Sequence, residues 1–299
     1  MLTVTDDADA QIQTAIPFLP RSMPSEPVYA DLHTHTHCSD GTLAPDVLVQ
    51  QAAERGVQVL AVTDHDTTAG LETAHEAARG RRIELVDGVE LSVEVDGESV
   101  HLLGYGFDST HKALTDYLAA FSRRRRERLD QMIQRLAETG IQVEAEQVQH
   151  HVGTSSAPGR PHLARALVDG GHVDSYRAAF EQYLGTDQPG YVSAPTQPAA
   201  EAIEILHTAG GVAVLAHPGQ WTSGETLRRL CEWGLDGIEC QFPSHPEYLV
   251  DYYRKICRSR DLLATGGSDF HGGAGHDDET LGAVGLEKAS WERFRDAAL

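Results

Sequence analysis

The sequence predicts an α/β fold, a parallel sheet or barrel of about seven strands with a mainly helical insertion near its middle. Three observations predict it. Short apolar runs alternate with helical periodicity through residues 28–107 and again through 191–299. Polar, histidine-rich clusters follow those runs, as expected where strands deliver side chains to the C-terminal mouth of a barrel. Residues 108–190, between the two stretches, carry helical patterns and turns but no strand–helix repeat.

In chain order, residues 1–27 mix Asp7, Asp9, Pro17, Pro20, Pro24 and Pro27 without periodicity and read as a flexible tail. Val28–Leu32 is a short apolar strand that ends where the histidines begin. Val47, Leu48, Ala52 and Ala53 place a helix over Pro45–Arg55, which Gly56 stops. The apolar strand Val57–Val62 runs into Thr63-Asp64-His65-Asp66, a second helix covers about Thr68–Ala78, and strand Ile83–Val86 leads into Asp87-Gly88-Val89-Glu90. Leu91–Val95 and Ser99–Leu103 flank Asp96-Gly97, a hairpin signal. Leu114, Leu118, Phe121, Leu129, Met132 and Leu136 stripe a long helix over Lys112–Glu138. Two or three short helices are expected in 141–190, and the whole of 108–190 is expected to cap the site. The alternation then resumes with helix Pro198–Thr208, strand Val212–Ala216, helix Glu225–Trp233, strand Gly237–Phe242, helix Pro246–Arg258 and strand Leu262–Thr265. A last helix, around Trp291–Ala298, is expected on the outside.

At 299 residues and 40% hydrophobic content the chain can bury a sizeable core. Its net charge of −21 argues against broad coating of a nucleic acid, although a local basic pocket can still hold one phosphorylated end. Cys38, Cys231, Cys240 and Cys257 form no CxxC pair and are too sparse for a disulfide framework, which fits a reducing compartment and leaves thiolate metal binding unexpected. No apolar run reaches the roughly 20 residues of a membrane span and no signal peptide pattern opens the chain, so a cytoplasmic protein without a membrane partner is expected.

Sixteen histidines are more than packing calls for. His33-x-His35 puts two imidazoles on one side of a strand end, where both can reach one ion. An isolated pair of this kind is weak evidence. The recurrence of Asp40, Asp64-His65, Glu90, His101, His217, Asp269 and His271 at or after strand ends carries the reading, since such a crowd at one mouth is electrostatically awkward without cations. Asp64 and Asp66 read equally as carboxylates orienting imidazoles or as an acidic pair at a helix start.

The segments Asp31-Leu32-His33-Thr34-His35, Ser39-Asp40-Gly41-Thr42-Leu43, Thr63-Asp64-His65-Asp66-Thr67, Gly88-Val89-Glu90, Ala216-His217-Pro218 and Gly267-Ser268-Asp269-Phe270-His271 resemble the polymerase and histidinol phosphatase (PHP) family. Within it, Gly159-Arg160-Pro161-His162-Leu163-Ala164-Arg165 is similar to the stand-alone phosphoesterases that hydrolyse nucleoside 3′,5′-bisphosphates or trim RNA from its 5′ end. The resemblance implies a distorted seven-stranded (β/α)7 barrel. It implies a first ion on His33, His35, Glu90 and Asp269, a second bridged by Glu90 and held by His101 and His217, and a third on Asp40, His65 and His271. His37 continues the alternation, but the family's ligand matches Asp40 instead. The family's basic residue before Pro189-Gly190-Tyr191 has no counterpart here, where Asp187-Gln188 stands.

Two or three divalent ions, manganese first with iron and zinc also suited, fit phosphate ester hydrolysis by a metal-bridging hydroxide. No Gly-x-Ser-x-Gly and no P-loop offers another route. The expected substrate is a small phosphorylated nucleotide, a nucleoside 3′,5′-bisphosphate losing its 3′-phosphate. Arg160 is expected to hold the second phosphate, assisted by His162. Arg125 is a further candidate, because it falls on the apolar stripe of its helix. A 5′-3′ exoribonuclease acting on short RNA is the nearest alternative, and a non-catalytic metal-binding module the more distant one.

Overall fold

The computed structural model describes residues 28–220, 222–272 and 280–299, so the tail expected at 1–27 lies outside the described residues. Seven strands wrap into a nearly closed barrel in the order β1 (Ala30–Asp31), β2 (Val59–Val62), β3 (Glu84–Val95), β4 (Glu98–Tyr105), β6 (Val212–Leu215), β7 (Gly237–Gln241) and β8 (Leu263–Gly266). The short β5 (Gln197–Pro198) pairs with β3 off this path. Neighbours run parallel except β4, which is antiparallel to both β3 and β6; this reversal is what distorts the barrel. The seam closes where Leu32 N–H donates to the Gly266 carbonyl at 3.3 Å and Asp269 N–H to the His33 carbonyl at 2.8 Å.

Helices α1 (Pro45–Glu54), α2 (Leu71–Ala78), α7 (Ala199–Thr208), α8 (Gly224–Glu232) and α9 (Glu247–Arg260) pack their apolar faces on the outer side of the sheet. In α1, for example, Pro45 takes the first turn, Leu48, Val49 and Ala52 are buried, and Gly56 follows the end at φ +87°. The inner side is smaller. Val86 of β3, Leu103 and Tyr105 of β4, and Val214 and Ala216 around β6 fill it, with Trp291 and Phe294 of α10 (Lys288–Ala298). The last helix therefore closes the barrel's lower end instead of lying on the outside: its aromatic pair supplies volume that the inward-facing valines and leucines leave unfilled.

One strand differs from expectation in a way that matters for function. The sequence suggests one strand ending at Val86 and another starting at Leu91, whereas β3 runs unbroken from Glu84 to Val95. Gly88 permits it: a Cβ there would stand 2.8 Å from the Val62 carbonyl oxygen, so the glycine lets β3 pass close to β2. Asp96 and Gly97, at φ +50° and +90°, then make the expected tight hairpin. Because side chains alternate, Glu90 points the same way as Val86, and His101 the same way as Leu103. Both stand directly above the inner core.

Between β4 and β5 lie α3 (Lys112–Glu138), α4 (Ala145–Val152), α5 (Arg160–Asp169) and α6 (Tyr176–Ala179), the last continued by a π-helical turn over Phe180–Leu184. Their apolar residues, among them Leu129, Met132, Leu136, Leu163 and Leu167, form a core separate from both faces of the barrel.

Candidate metal centre

The mouth above the inner core gathers the predicted imidazoles and carboxylates. His33 Nε2 lies 3.1 Å from His35 Nε2 and 3.2 Å from Glu90 Oε2. Asp269 Oδ1 approaches the same two nitrogens at 3.3 and 3.1 Å. These are spacings of four donors that can surround one divalent ion about 2.1 Å from each. On one side, Glu90 Oε1 meets His101 Nδ1 and His217 Nε2, both at 2.8 Å. On the other, Asp40 lies 3.2 Å from His271 Nε2 and 3.9 Å from His65 Nε2. Among the described residues three overlapping groups of donors result: His33, His35, Glu90 and Asp269; His35, Asp40, His65 and His271; and His65, Glu90 and His101. His37 is exposed and joins none of them.

The electrostatics fit cations. Burial opposes ionisation of His33, His271 and Glu90, yet opposite charge outweighs it at all three. Glu239, Glu90 and Asp269 hold the pKa of His33 well above the usual imidazole range. Against the same burial, Asp40 and Asp269 raise His271 to about 10, while His65, His101 and His33 hold Glu90 well below the usual carboxylate range. His65 behaves differently, with burial pushing it down to about 4. Two buried nitrogens, His35 Nδ1 and His65 Nδ1, have no hydrogen-bond partner. His65 Nδ1 nevertheless lies 3.2 Å from Glu90 Oε2, two lone-pair atoms facing each other as they would across an ion. The donor set and its unpartnered atoms fit divalent metal ions.

Backbone strain is concentrated here. His217, Asp269 and Asp66 adopt φ of +25°, +51° and +51°, a region that L-residues occupy at a cost and that recurs where side chains must be aimed. Gly267 serves the same end, since a Cβ there would stand 2.4 Å from the His33 backbone nitrogen. The glycine lets the two ligand-bearing strand ends touch.

Other residues hold the donors in place. The Glu239 carboxylate on β7 faces His33 Nδ1 at 3.0 and 3.2 Å and accepts the His217 backbone N–H at 2.8 Å, so it orients one imidazole and holds the backbone that carries another. Sequence reasoning missed it; the available signal was a lone acid inside the apolar strand Gly237–Gln241. Asp31 accepts N–H groups from Ser268 and Gly282, tying β1 to the segment after β8, and burial raises its pKa to about 6. Asp64 and Asp66 do not orient imidazoles. Asp64 accepts from Thr36 and Ser39, and Asp66 from Ser92 and Arg125, because both carboxylates turn away from the mouth to brace its loops.

The predicted substrate residues sit in the helices between β4 and β5. Arg125 donates from Nε to Asp66 at 2.8 Å and from Nη2 to Ser92 Oγ at 3.0 Å, an attachment of α3 to the barrel. Arg160 lies 5.7 Å from the ring centres of both Phe180 and Tyr191. His162 is buried and accepts the Gly159 N–H through Nδ1. Burial drives its pKa down to about 4, so the ring is neutral near pH 7. Ser155 Oγ donates to the Cys38 and Ser39 carbonyls and Arg165 to that of Asp40, pinning these helices to the loop that carries Asp40.

A barrel presenting imidazoles and carboxylates at one mouth defines a metal-dependent hydrolase. The family model of the PHP domain matches residues 31–188. A 3′,5′-nucleoside bisphosphate phosphatase from Chromobacterium violaceum is 38% identical over 81% of this chain and 86% of its own. A 5′-3′ exoribonuclease from Haemophilus influenzae is 35% identical over 88% of this chain and 98% of its own. A solved structure from Bifidobacterium adolescentis, assigned as a metal-dependent phosphoesterase, superposes with a TM-score of 0.83 at 30% identity, covering 93% of this chain and 98% of that one. The chain belongs to the PHP family and is a metal-dependent phosphoesterase. The non-catalytic alternative falls with that membership. Among the described residues no helix is long and apolar enough to cross a membrane.

Proposed function

We propose that the protein hydrolyses the 3′-phosphate of a nucleoside 3′,5′-bisphosphate, holding the 5′-phosphate in a cationic pocket of an inserted cap formed by residues 108–190. The observation that carries this reading is Arg128. It is 6% exposed, its Nε donates to the Val192 carbonyl at 2.9 Å, and its Nη2 is buried without a partner. Burial and the nearby guanidinium groups of Arg160 and Arg125 push its pKa down to about 10, so it remains charged near pH 7. A buried, partly unpaired cation among other cations calls for an anion. With one anion pocket in the cap and a mouth built to hold divalent ions below, the substrate is a nucleotide with two phosphates. The phosphatase relative from Chromobacterium violaceum supports the same substrate.

We assign the first ion to His33, His35, Glu90 and Asp269, the second to Glu90, His101 and His217, and the third to Asp40, His65 and His271. Two or three divalent ions are bound, manganese first, with iron and zinc also suited to these nitrogen and oxygen donors. When bound, such ions make a coordinated water acidic, orient it for in-line attack and neutralise charge on the phosphoryl oxygens. The chain's own contribution is placement. Glu239 fixes the ring of His33 and the backbone of His217, Arg160 and Arg128 fix the 5′-phosphate, and His162 positions α5 against the loop of Asp40. Arg125 acts mainly through Asp66. Purified protein is expected to carry manganese, iron or zinc above trace, or to gain phosphatase activity on added manganese. Failure of both overturns the assignment.

A 5′-3′ exoribonuclease activity is the second reading, favoured by the Haemophilus influenzae relative. It needs the same 5′-phosphate pocket, with a phosphodiester at the ions. Incubation with a nucleoside 3′,5′-bisphosphate and with a short 5′-phosphorylated RNA separates the two. Phosphate release without shortening of the RNA leaves the phosphatase alone, and shortening of the RNA alone overturns the primary reading. Arg160→Ala and Arg128→Ala are each expected to raise KM for the bisphosphate roughly ten- to hundredfold, the worth of a hydrogen bond to a charged group, while sparing an aryl phosphate. Equal losses on both substrates remove these residues from the pocket.

A further inference from the structure

Helix α9 presents an aromatic face to solvent on the opposite side of the ions from the cap. Tyr248 is 62% and Tyr252 52% exposed, and with exposed Lys255 they fall at i, i+4 and i+7, one stripe along the helix. Buried Leu249, Val250, Tyr253 and Cys257 already anchor the other face. Tyr252 touches that anchored face only edge-on, its ring 5.1 Å from that of Tyr253, and most of both exposed rings is open to a partner.

Their position relates them to the metal centre. The Gln220 side chain donates to the Tyr248 hydroxyl, and the Tyr253 hydroxyl donates to the Gly219 carbonyl at 2.7 Å. Gly219 N–H in turn donates to His245 at 3.1 Å, so the loop from His217 to Gln220 is fastened along the start of α9. Adjacent Cα atoms are 3.8 Å apart, so Gln220 lies at most about 11 Å from the ligand His217. Within the mouth, His33 stacks on His217 at 5.7 Å and His35 on His271 at 4.1 Å. His217 thus marks one end of the donor cluster, with α9 beyond it, and Asp40 the other, with the cap beyond it.

Charge agrees with this placement. The chain carries −21, yet α9 sets Arg254, Lys255, Arg258 and Arg260 against only Glu247 and Asp251. Exposed rings next to exposed cations bind single-stranded nucleic acid, whose bases stack while its phosphates pair.

We propose that Tyr248, Tyr252 and Lys255 form a ledge for the nucleotides 3′ of the hydrolysed phosphate, so that the partner is single-stranded RNA with its 5′-phosphate in the cap. The proposal rests on the second reading above, in which the ester at the ions is a phosphodiester. It explains how an acidic protein holds a strand: one basic and aromatic strip suffices.

The test uses the full chain and a 5′-phosphorylated hexaribonucleotide labelled at its 3′ end. Binding is read by fluorescence anisotropy in EDTA, and kcat/KM is read with manganese. Tyr252→Ala/Lys255→Ala, which leaves the Tyr248 contact to the His217 loop intact, is expected to weaken hexamer binding and lower kcat/KM for the hexamer at least about tenfold, as loss of base stacking does. Turnover of a nucleoside 3′,5′-bisphosphate should stay within twofold of the unaltered protein. Tyr252→Phe, which keeps the ring, should bind like the unaltered protein. Unchanged hexamer binding in the double variant overturns the ledge, as does an equal loss on both substrates. A dimer that dissociates in the double variant, seen by light scattering, identifies the face as a contact between copies and also overturns it. If the unaltered protein cleaves neither substrate, the catalytic reading fails, while the anisotropy still decides whether the ledge binds RNA.

Discussion

Glu90→Gln is expected to lower phosphate ester turnover on the order of a thousandfold or more, with a parallel loss of bound metal. Among the described residues, no other side chain in the mouth meets so many of the rest. Its carboxylate lies 3.2 Å from nitrogens of His33, His35 and His65, and 2.8 Å from those of His101 and His217. It is fully buried on an unbroken strand. An amide of the same shape keeps the packing but presents a neutral oxygen and two N–H donors to a cluster built around a bridging anion, so two of the proposed ion positions lose a charged ligand together. Metal content by elemental analysis and kcat on a bisphosphate read the effect. A variant with full metal and more than a tenth of the original kcat would contradict Glu90 as the bridge.

The same residue marks where sequence reasoning reached its limit. Glu90 was legible as a candidate because it follows Gly88 in a recurring pattern of acids and histidines, but it read as a loop residue after a strand. Its rigid placement depends on β3 continuing past Gly88, and that in turn on how closely β2 passes, a tertiary distance no local pattern encodes. Periodicity revealed the helix boundaries and the alternation of strands, because those are properties of single segments. The antiparallel pairing of β4 with β6, and the entry of Trp291 and Phe294 into the barrel, are properties of how segments meet. Arg128 shows the same division. Arg125 drew notice as a cation on an apolar stripe, yet the two arginines exchange roles once α3 is packed: Arg125 finds Asp66, and Arg128, one turn on, is left buried with an unpaired nitrogen. Burial chose between them.

Glu239→Gln is the second large effect, and it separates orienting a ligand from being one. Both Glu239 oxygens lie within 3.2 Å of His33 Nδ1, and one accepts the His217 N–H, in a position with no exposure to solvent. As a carboxylate it accepts from Nδ1–H and directs the lone pair of Nε2 toward Asp269 and Glu90. As an amide it can turn an N–H toward the ring and favour the tautomer whose Nε2 carries the proton and cannot bind metal. Metal affinity is expected to fall roughly ten- to hundredfold, with activity returning toward that of the unaltered protein as manganese is raised. Glu90→Gln, by contrast, removes a ligand and should not recover. A manganese titration of kcat on both variants, with thermal melts to establish folding, reads the difference. If Glu239→Gln stays inactive at saturating manganese while folded and metal-loaded, its carboxylate does more than orient His33, and the division between ligand and support drawn at this barrel mouth is misplaced.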